Sequence, residues 1–277
     1  MNSEFFIYVG PSKTASTWIY KVLKENPCVD LPNAKDIYYF DQFYNKGKEW
    51  YENHFSKVDV SKVTGEFSHD YILSNEALKR IFKDYPSVKI ITTVRNPFER
   101  TASGVGFLRR NGYGYEEISE LIVKHSELKE GSLVSTNIKR LMSVFPREQI
   151  LILNFDGLTK DPFEFYKTIE RFLCLDSFEP EFLLSKANSF SLSRSKRLSY
   201  MVKRLALIAR SLGAASLVSR LKMSPIILRL VYKKPNNGEN SSQVLSLDDK
   251  VYLSAFFNPE IDELERITGW DVNDWKI

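Results

Sequence analysis

The stretch that decides the fold is "FIYVGPSKTASTWIYKVLKENP", residues 6–27. It begins with an apolar, β-branched run typical of a buried strand and ends with the periodicity of an amphipathic helix. Between the two lies the loop 10–17, which carries a glycine, a lysine and several hydroxyl side chains. A loop that leads from a strand into a helix presents backbone N–H groups and the positive end of the helix dipole to an anion. The stretch therefore predicts a phosphate-binding loop in an α/β fold.

The loop differs from the common nucleotide-binding pattern G-x-x-x-x-G-K-[ST]. Its lysine, Lys13, comes early, and no second glycine precedes that lysine. A phosphotransferase built on the common pattern also needs an acidic metal ligand after a strand. Asp156, in "NFDGL", is such a residue, but the loop does not supply the lysine and hydroxyl partners that a Mg²⁺ site would need. A nucleotide phosphotransferase stays as an alternative, and the loop indicates a different phosphate-bearing ligand.

Strand-like and helix-like runs alternate along much of the chain. The predicted strands are Phe5–Val9, Val63–Phe67, Val88–Val94 and Gln149–Phe155. The predicted helices are Ser16–Glu25, Asn75–Asp84, Phe98–Arg110, Ser132–Phe145 and Pro162–Leu173. Such alternation implies right-handed crossovers between parallel strands. We therefore predict an α/β, P-loop-like fold, with a central parallel β-sheet flanked by helices.

The last part of the chain is predicted to be a helical portion of the same domain. "PNNGENSS", residues 235–242, indicates a loop or linker, and a closing helix follows near Ser246–Ile267. At 277 residues the chain is long enough for one domain with a substantial core. We predict a single domain over residues 1–277.

Composition excludes several classes of protein. Two cysteines, Cys28 and Cys174, are too few for a disulfide framework or a cysteine metal cluster. No apolar run approaches the roughly 20 residues of a membrane-spanning helix. The first strand begins too early for a signal peptide to precede it. We therefore expect a cytoplasmic protein.

Positive charge is concentrated in one segment, at residues 186–234. The net charge of the whole chain is only +4, and the twelve lysines and arginines from Lys186 to Gly238 are accompanied by no acidic residue. A nucleic-acid-binding protein would be basic overall, so we expect no nucleic-acid partner. Apolar residues recur at helical spacing between Leu198 and Leu212. The segment is interpreted as a helix packed on the domain, a cleft for an acidic substrate or a peripheral membrane contact.

A second anion-binding signal follows the strand "VKIITTV", residues 88–94. Arg95 lies where this strand ends, and open α/β sheets bind their ligands at the carboxyl ends of strands. A helix then begins, and Ser103 lies about two turns along it, facing back toward the strand end. An arginine and a hydroxyl together can bind a phosphate, although Glu99 is an alternative partner for Arg95. Two anion sites suggest a nucleotide with phosphates at both its 5′ and 3′ positions.

Taken in order, these motifs resemble those of the sulfotransferases that use 3′-phosphoadenosine 5′-phosphosulfate (PAPS). Residues 10–18 look like the 5′-phosphosulfate loop of that family, and Arg95 with Ser103, in an R-N-P-x-x-R-x-x-S setting, matches its 3′-phosphate motif. "KDIYYFD", residues 35–41, is similar to the K-E-x-H-F-F-D stretch of the heparan-sulfate-like branch. The later segments "GEFSHDYI", "NFDGLTKDPFEFYKTIERFL" and "ITGWDVNDW" are similar to E-K-[ST]-P-x-Y, E-x-L-x-x-D-P and T-G-x-x-x-x-x-W. The resemblance implies an enzyme that moves a sulfuryl group from PAPS to a hydroxyl or amine acceptor.

The resemblance also implies which residues bind PAPS. They are the residues of the loop, the arginine and serine of the second motif and two basic residues of a late loop, namely Lys13, Thr14, Ala15, Ser16, Thr17, Arg95, Ser103, Arg194 and Lys196. The loop would stabilise the sulfonyl and bridging oxygens during transfer, and Lys13 would thereby take part in catalysis. The others would bind the 3′-phosphate. No metal is required, and the three histidines lack the spacing of metal ligands.

The general base is the point where this sequence departs from the heparan-sulfate-like pattern. The glutamate of that pattern corresponds to Asp36, which is one methylene shorter, and its histidine corresponds to Tyr38. The lysine of E-K-[ST]-P corresponds to Phe67, so one expected contact to the transferring group is missing. His69 matches the catalytic histidine of K-T-H in the small-molecule branch. An acceptor hydroxyl needs a base. We expect that base to be Asp36 rather than His69, and both stay candidates.

The acceptor is expected to be a glycan, because motifs of the heparan-sulfate-like branch outnumber those of the small-molecule branch. Two other functions stay open. One is the nucleotide phosphotransferase. The other is a non-catalytic protein that keeps the nucleotide fold and docks on a membrane through residues 186–234.

Overall fold

The computed structural model describes residues 4–33, 35–55, 61–110, 117–185, 192–193, 204–205, 208, 232–233 and 245–277. The predicted basic segment 186–234 lies almost entirely outside these residues, and so do Arg194 and Lys196. The apolar stripe predicted between Leu198 and Leu212 is likewise outside them for the most part.

A five-stranded parallel sheet forms the centre of the fold. Its strands are β1 (Phe5–Tyr8), β2 (Val29–Asp30), β3 (Val63–Phe67), β4 (Lys89–Val94) and β5 (Ile150–Asn154). Their order across the sheet is β2-β3-β1-β4-β5, and every pairing is parallel. The first strand is therefore central, with β3 on one side and β4 on the other. The chain reverses its direction across the sheet at β1, and open α/β sheets bind ligands at such a point.

Helices connect the strands. They are α1 (Ser16–Glu25), α2 (Lys48–Glu52), α3 (Asn75–Asp84), α4 (Pro97–Arg110), α5 (Ile118–Lys124), α6 (Glu127–Glu130), α7 (Val134–Met142), α8 (Phe155–Lys160), α9 (Pro162–Leu173) and α10 (Leu247–Thr268). Four of them begin at the side-chain caps that favour a helix start: Ser74 caps α3, Asn154 caps α8, Asp161 caps α9 before a proline, and Ser246 forms a capping box at α10. A further two-stranded antiparallel ribbon pairs β6 (Leu192–Ser193) with β7 (Tyr232–Lys233).

The two faces of the sheet bury different helices, because side chains alternate along a strand. Ile7 and Ile90 point to the face that α3 covers, where Leu78 and Ile81 are wholly buried. Tyr8 and its neighbours on the opposite face pack against α1 and α9. The predicted architecture, a parallel sheet with helices on both faces, is confirmed.

The predicted helical C-terminal portion is also confirmed, and it packs against the sheet domain. Helix α10 buries Leu253, Phe257, Ile261 and Leu264 in a third apolar cluster with α4, α5 and α7. After α10, the Trp275 indole donates to Asp156 Oδ2 at 2.9 Å. The C-terminal residues are thus tied to the end of β5. Among the described helices, none combines the length and the apolar character needed to span a bilayer.

Candidate active site

The loop between β1 and α1 turns sharply at three residues. Gly10, Lys13 and Ala15 have left-handed backbone conformations, with φ of 99°, 71° and 68°. A Cβ at residue 10 would lie 2.6 Å from the backbone nitrogen of Asp70, so the close approach to the end of β3 requires glycine. No side chain caps the first turn of α1. Since an α-helix leaves its first N–H groups without intrahelical partners, this geometry suits an anion at the start of α1.

Hydrogen bonds within the loop fix its shape. The Thr14 hydroxyl donates to the Pro11 carbonyl at 2.6 Å and lies 2.8 Å from the Tyr8 hydroxyl. The Ser12 amide donates to Asp70 Oδ1 at 3.1 Å. Thr14 is wholly buried and its hydroxyl is occupied by these contacts, so that hydroxyl stabilises the shape of the loop.

The buried side chain of Arg100 stabilises the loop through hydrogen bonds. Its guanidinium is buried and donates to the carbonyls of Ser12, Glu127 and Leu128 at 3.0–3.2 Å, and to the Ser132 hydroxyl at 3.0 Å. Burial lowers the pKa of Arg100 to about 10, so the side chain stays charged at neutral pH. The second arginine of the R-N-P-x-x-R motif, Arg100, thus joins the loop to α6 and is not a ligand group.

Two lysines bring positive charge to the loop, Lys13 from within it and Lys35 from outside it. The ammonium of Lys13 lies 4.4 Å from the ring centroid of Phe107 on α4. The ammonium of Lys35 comes from the other side and donates to Ser16 Oγ and Thr17 Oγ1, each at 3.2 Å. The hydroxyls that open α1 therefore have a cation beside them, and that cation belongs to the segment following β2.

Arg95 lies at the end of β4 and contacts the loop. It donates to the Lys13 carbonyl at 3.4 Å and to Glu99 Oε2 at 3.0 Å, and its guanidinium lies 4.4 Å from the Phe155 ring centroid. The alternative partner that the sequence offered, Glu99, is thus observed. Ser103 lies half-buried two turns along α4. The structure therefore places Arg95 beside the loop, as expected, and keeps it in position through an exposed carboxylate.

The two candidates for the general base form one hydrogen-bonded pair. His69 Nδ1 lies 2.6 Å from Asp36 Oδ1. On the other side of the ring, Nε2 lies 3.2 Å from the Tyr38 hydroxyl and 3.6 Å from Asp70 Oδ2. Burial alone would lower the pKa of His69, but the charge and hydrogen bond of Asp36, together with the charge of Asp70, outweigh burial and raise that pKa above its ordinary value.

The backbone holds this pair in an unusual local conformation. Asp36, Tyr38 and Asp70 all have left-handed φ values, between 57° and 76°. The Asp36 amide donates to the Phe67 carbonyl at 2.7 Å, so the segment after β2 continues beside the end of β3. Non-glycine residues adopt such conformations rarely, and they concentrate at functional sites.

A buried carboxylate supports the segment from below. Glu66, which is fully buried in β3, accepts hydrogen bonds from the hydroxyls of Tyr51 at 2.5 Å, Tyr71 at 3.0 Å and Ser68. The Ser68 hydroxyl in turn accepts from the Tyr38 amide at 3.3 Å. Burial raises the pKa of Glu66 to about 7. This network is structural, and it connects the core of the sheet to the Asp36–His69 pair.

Comparison with known protein families shows the family to which this chain belongs. The sulfotransferase domain family matches residues 6–205, which is more than half of the chain. The chain belongs to the sulfotransferase family. Among curated relatives, the sulfotransferase chain is 27% identical to human heparan sulfate glucosamine 3-O-sulfotransferase 5 over 61% of its own length and 53% of the relative's. It is 31% identical to the membrane-associated sulfotransferase kil1 of Dictyostelium discoideum, over 38% of its length and 24% of the relative's. The chain thus spans about half or less of the length of these relatives.

Solved structures show the same fold. A sulfotransferase from Alicyclobacillus acidocaldarius superposes with a TM-score of 0.69, at 19% identity, and the match covers 99% of this chain and 98% of that one. Mouse sulfotransferase SULT7A1, complexed with PAP, superposes with a TM-score of 0.50 at 18% identity, covering 99% and 86% of the two chains. These likenesses establish the sulfotransferase fold for the whole sheet domain.

The structure brings most of the predicted sulfotransferase site together. The loop, Arg95 and the Asp36–His69 pair lie at the carboxyl ends of neighbouring strands, whereas Arg194 and Lys196 are outside the described residues and stay predictions. Among the described residues, no cluster of His, Cys, Asp and Glu could hold a metal ion. Sequence reasoning gave no role to Lys35. Its signals were its place as the lysine of the K-E-x-H-F-F-D-like stretch and the lysine that is missing at Phe67.

Proposed function

We propose that this protein transfers the sulfuryl group of PAPS to a hydroxyl or amine of a glycan. One observation carries the proposal: the anion-binding loop and the Asp36–His69 pair meet at the ends of β1 and β3. Asp70, which follows His69, accepts a hydrogen bond from the Ser12 amide of the loop. The family, the loop and an acid–base pair beside it together favour group transfer from an anionic donor.

The residues at the loop fit the donor. The backbone N–H groups of residues 14–17, the hydroxyls of Ser16 and Thr17, and the Lys13 ammonium would bind the 5′-phosphosulfate. Arg95 with Ser103 would bind the 3′-phosphate, and Arg194 and Lys196 are proposed to join them. Preorganised donors of this kind stabilise negative charge that develops on the leaving oxygen. The hydroxyl-rich start of α1, which no side chain caps, supports this assignment.

In the Asp36–His69 pair, one residue is assigned as the general base and the other as the carboxylate that orients it. We assign to His69 the removal of the proton from the acceptor, because an imidazole titrates near the pH at which the enzyme would operate. Asp36 would hold Nδ1–H and keep the ring in one tautomer, which is the role of the orienting carboxylate in a base–carboxylate pair. Their 2.6 Å contact supports this division of roles. Asp36 as the direct base, the assignment expected from the sequence, is the other arrangement.

The names of the relatives favour a glycan acceptor. Several are heparan sulfate enzymes, among them the bifunctional N-deacetylase/N-sulfotransferase 4 of mouse, which is 28% identical over 67% of this chain. The test is a panel of acceptors with sulfate-labelled PAPS: desulfated heparan-type oligosaccharides, other glycans, and small phenols. Transfer to the glycans alone supports the proposal, and transfer to phenols alone would contradict it.

A phosphotransferase is not favoured, because the carboxylate of Asp156 accepts from the Trp275 indole and so serves the packing of the C-terminus. Location stays a prediction. We propose a cytoplasmic protein, and we also propose peripheral membrane contact through residues 186–234, which the name of the membrane-associated relative kil1 favours. Flotation of the full chain with anionic lipid vesicles tests the membrane contact.

A further inference from the structure

Lys35 is the first residue of the stretch that resembles K-E-x-H-F-F-D, but no role in binding the donor was assigned to it from the sequence. Its ammonium lies 3.2 Å from Ser16 Oγ and 3.2 Å from Thr17 Oγ1, the first two hydroxyls of α1. These are the hydroxyls that would face the 5′-phosphosulfate. An anion bound at the start of α1 through these hydroxyls would therefore lie within reach of the Lys35 ammonium.

The surroundings of Lys35 favour a strong interaction between its ammonium and an anion. The ammonium lies 5.9 Å from the ring centroids of both Tyr20 and Phe67, and the residue is half-buried. A cation over aromatic faces and partly out of water interacts more strongly with an anion than a solvated lysine does. Phe67 is the residue that stands where the heparan-sulfate-like branch has a lysine, so Lys35 brings positive charge to the place where that lysine is missing.

Lys35 also connects the two halves of the site. It directly precedes Asp36, whose side chain binds His69, while its own side chain reaches the loop of β1. The cation that would contact the donor and the pair that would deprotonate the acceptor therefore come from one segment.

We propose that Lys35 is a catalytic residue of the sulfuryl transfer, which rests on the function proposed above. In that step the acceptor oxygen forms a bond to sulfur while the bond between sulfur and the bridging phosphate oxygen breaks. The acceptor proton passes to His69, and the electron pair leaves with adenosine 3′,5′-bisphosphate. Lys35 contacts the sulfuryl oxygens from the Phe67 side and offsets their charge as the S–O bond breaks, opposite Lys13.

The test separates a role in transfer from a role in binding. Lys35→Met keeps the apolar stem beside Tyr20 and Phe67 but removes the charge. We expect the turnover number to fall about 10²–10³-fold, as it does when a transition-state donor is removed. Affinity for adenosine 3′,5′-bisphosphate, which has no sulfuryl group, should change less than about threefold. Lys35→Arg should recover part of the turnover, because the cation returns.

Lys24→Met is the matched control. Lys24 also lies over the Tyr20 ring, at 5.5 Å, but its ammonium donates to Asn33 and does not contact the loop. The turnover number of Lys24→Met should therefore stay at the wild-type value. Wild-type turnover in Lys35→Met would overturn the proposal for Lys35 alone, and so would a loss of bisphosphate affinity as large as the loss of turnover. If the wild-type protein does not bind the bisphosphate, the proposed function fails, and the proposal for Lys35 fails with it.

Discussion

The contact between His69 and Asp36 changes how single residues of this site should be interpreted. The sequence offered the two side chains as rivals, because each matched a different branch of the family. In the structure they are partners at 2.6 Å. A substitution at either residue therefore alters the other, and their separate effects on rate are not additive.

The pH dependence of activity distinguishes the two roles. His69 is a base only when neutral, so kcat/KM should fall as the pH drops below its raised pKa. The charged and titratable groups around the ring are Asp36, Asp70, Tyr38 and Lys35. In Asp36→Asn the pKa of His69 loses its main support, so the acidic limb should move to lower pH. The maximum should also fall, by about 10²–10⁴-fold, because the tautomer is no longer fixed.

One combination of results would reverse this assignment. An Asp36→Asn variant that is inactive at every pH, beside a His69→Ala variant that keeps the acidic limb, would make Asp36 the base. The measurement is a series of kcat/KM values between pH 5 and 9 for the three proteins. Thermal unfolding of each variant shows whether the fold is intact.

Arg95 supports a second prediction, concerning the nucleotide. Its guanidinium lies between the loop and Glu99, so Arg95→Ala should weaken binding of adenosine 3′,5′-bisphosphate by about 2–5 kcal/mol, as loss of a charged, hydrogen-bonded partner does. Binding of adenosine 5′-phosphate, which lacks the 3′-phosphate, should hardly change. Calorimetric titration of both nucleotides checks this. Equal losses for the two would place Arg95 outside the 3′-phosphate site.

Some of these residues could be predicted and others could not. Arg95 directly follows β4, and Lys13 lies in the loop that follows β1. A parallel sheet brings the ends of its strands to one edge, so sequence position indicated a site. The position of Lys35 depends on where a loop folds back after a two-residue strand. The Asp36–His69 contact joins residues 33 apart in the sequence. Local patterns carry no information about such contacts.

At the scale of secondary-structure elements, the end of β3 is where core and site meet. Glu66 joins this strand to α2 through Tyr51 and to the segment 71–73 through Tyr71. Its pKa of about 7 lies above the ordinary value of 4.5, and burial is the main cause. The folded protein therefore binds a proton at Glu66 that the unfolded chain releases at lower pH.

Stability should consequently depend on pH through Glu66. The contribution of Glu66 to the free energy of unfolding is fully present below about pH 4.5 and is lost as the pH rises through about 7. The loss is on the order of 3 kcal/mol, from about 1.4 kcal/mol for each pKa unit. Urea unfolding at pH 5 and pH 8 should show a smaller decline for Glu66→Gln than for the wild-type protein. Identical declines in the two proteins would contradict this role.

Element bounds show which sequence signals are reliable. The predicted bounds of α1, α3 and α9 are those observed, because each helix has a clear apolar stripe and the last two have cap residues. The strand β2 and the short helices α2, α5, α6 and α8 were not predicted. They have two to seven residues, which is too short for a periodic pattern, and tertiary packing decides their conformation.

At the scale of the whole molecule, the C-terminal helix completes the fold. Glu260 of α10 accepts from the hydroxyl of Ser135 and from the amide and hydroxyl of Thr136, at 2.6–2.8 Å, and so holds the first turn of α7. The parallel sheet and this helical portion were predictable from the order of apolar runs. That the last helix would bind α7 through the carboxylates of Glu260 and Glu263 was not, since nothing local to either helix indicates the other.

The central claim is that this fold moves a sulfuryl group and not a phosphoryl group. The most direct measurement follows labelled sulfate from PAPS, and labelled γ-phosphate from ATP, into a heparan-type oligosaccharide without and with Mg²⁺. We predict sulfate transfer that needs no added Mg²⁺, no phosphate transfer, and a loss of about 10²–10³-fold in turnover for Lys13→Ala with a smaller loss of donor affinity. Phosphate transfer that requires Mg²⁺, or sulfate transfer unaffected by Lys13→Ala, would contradict this claim.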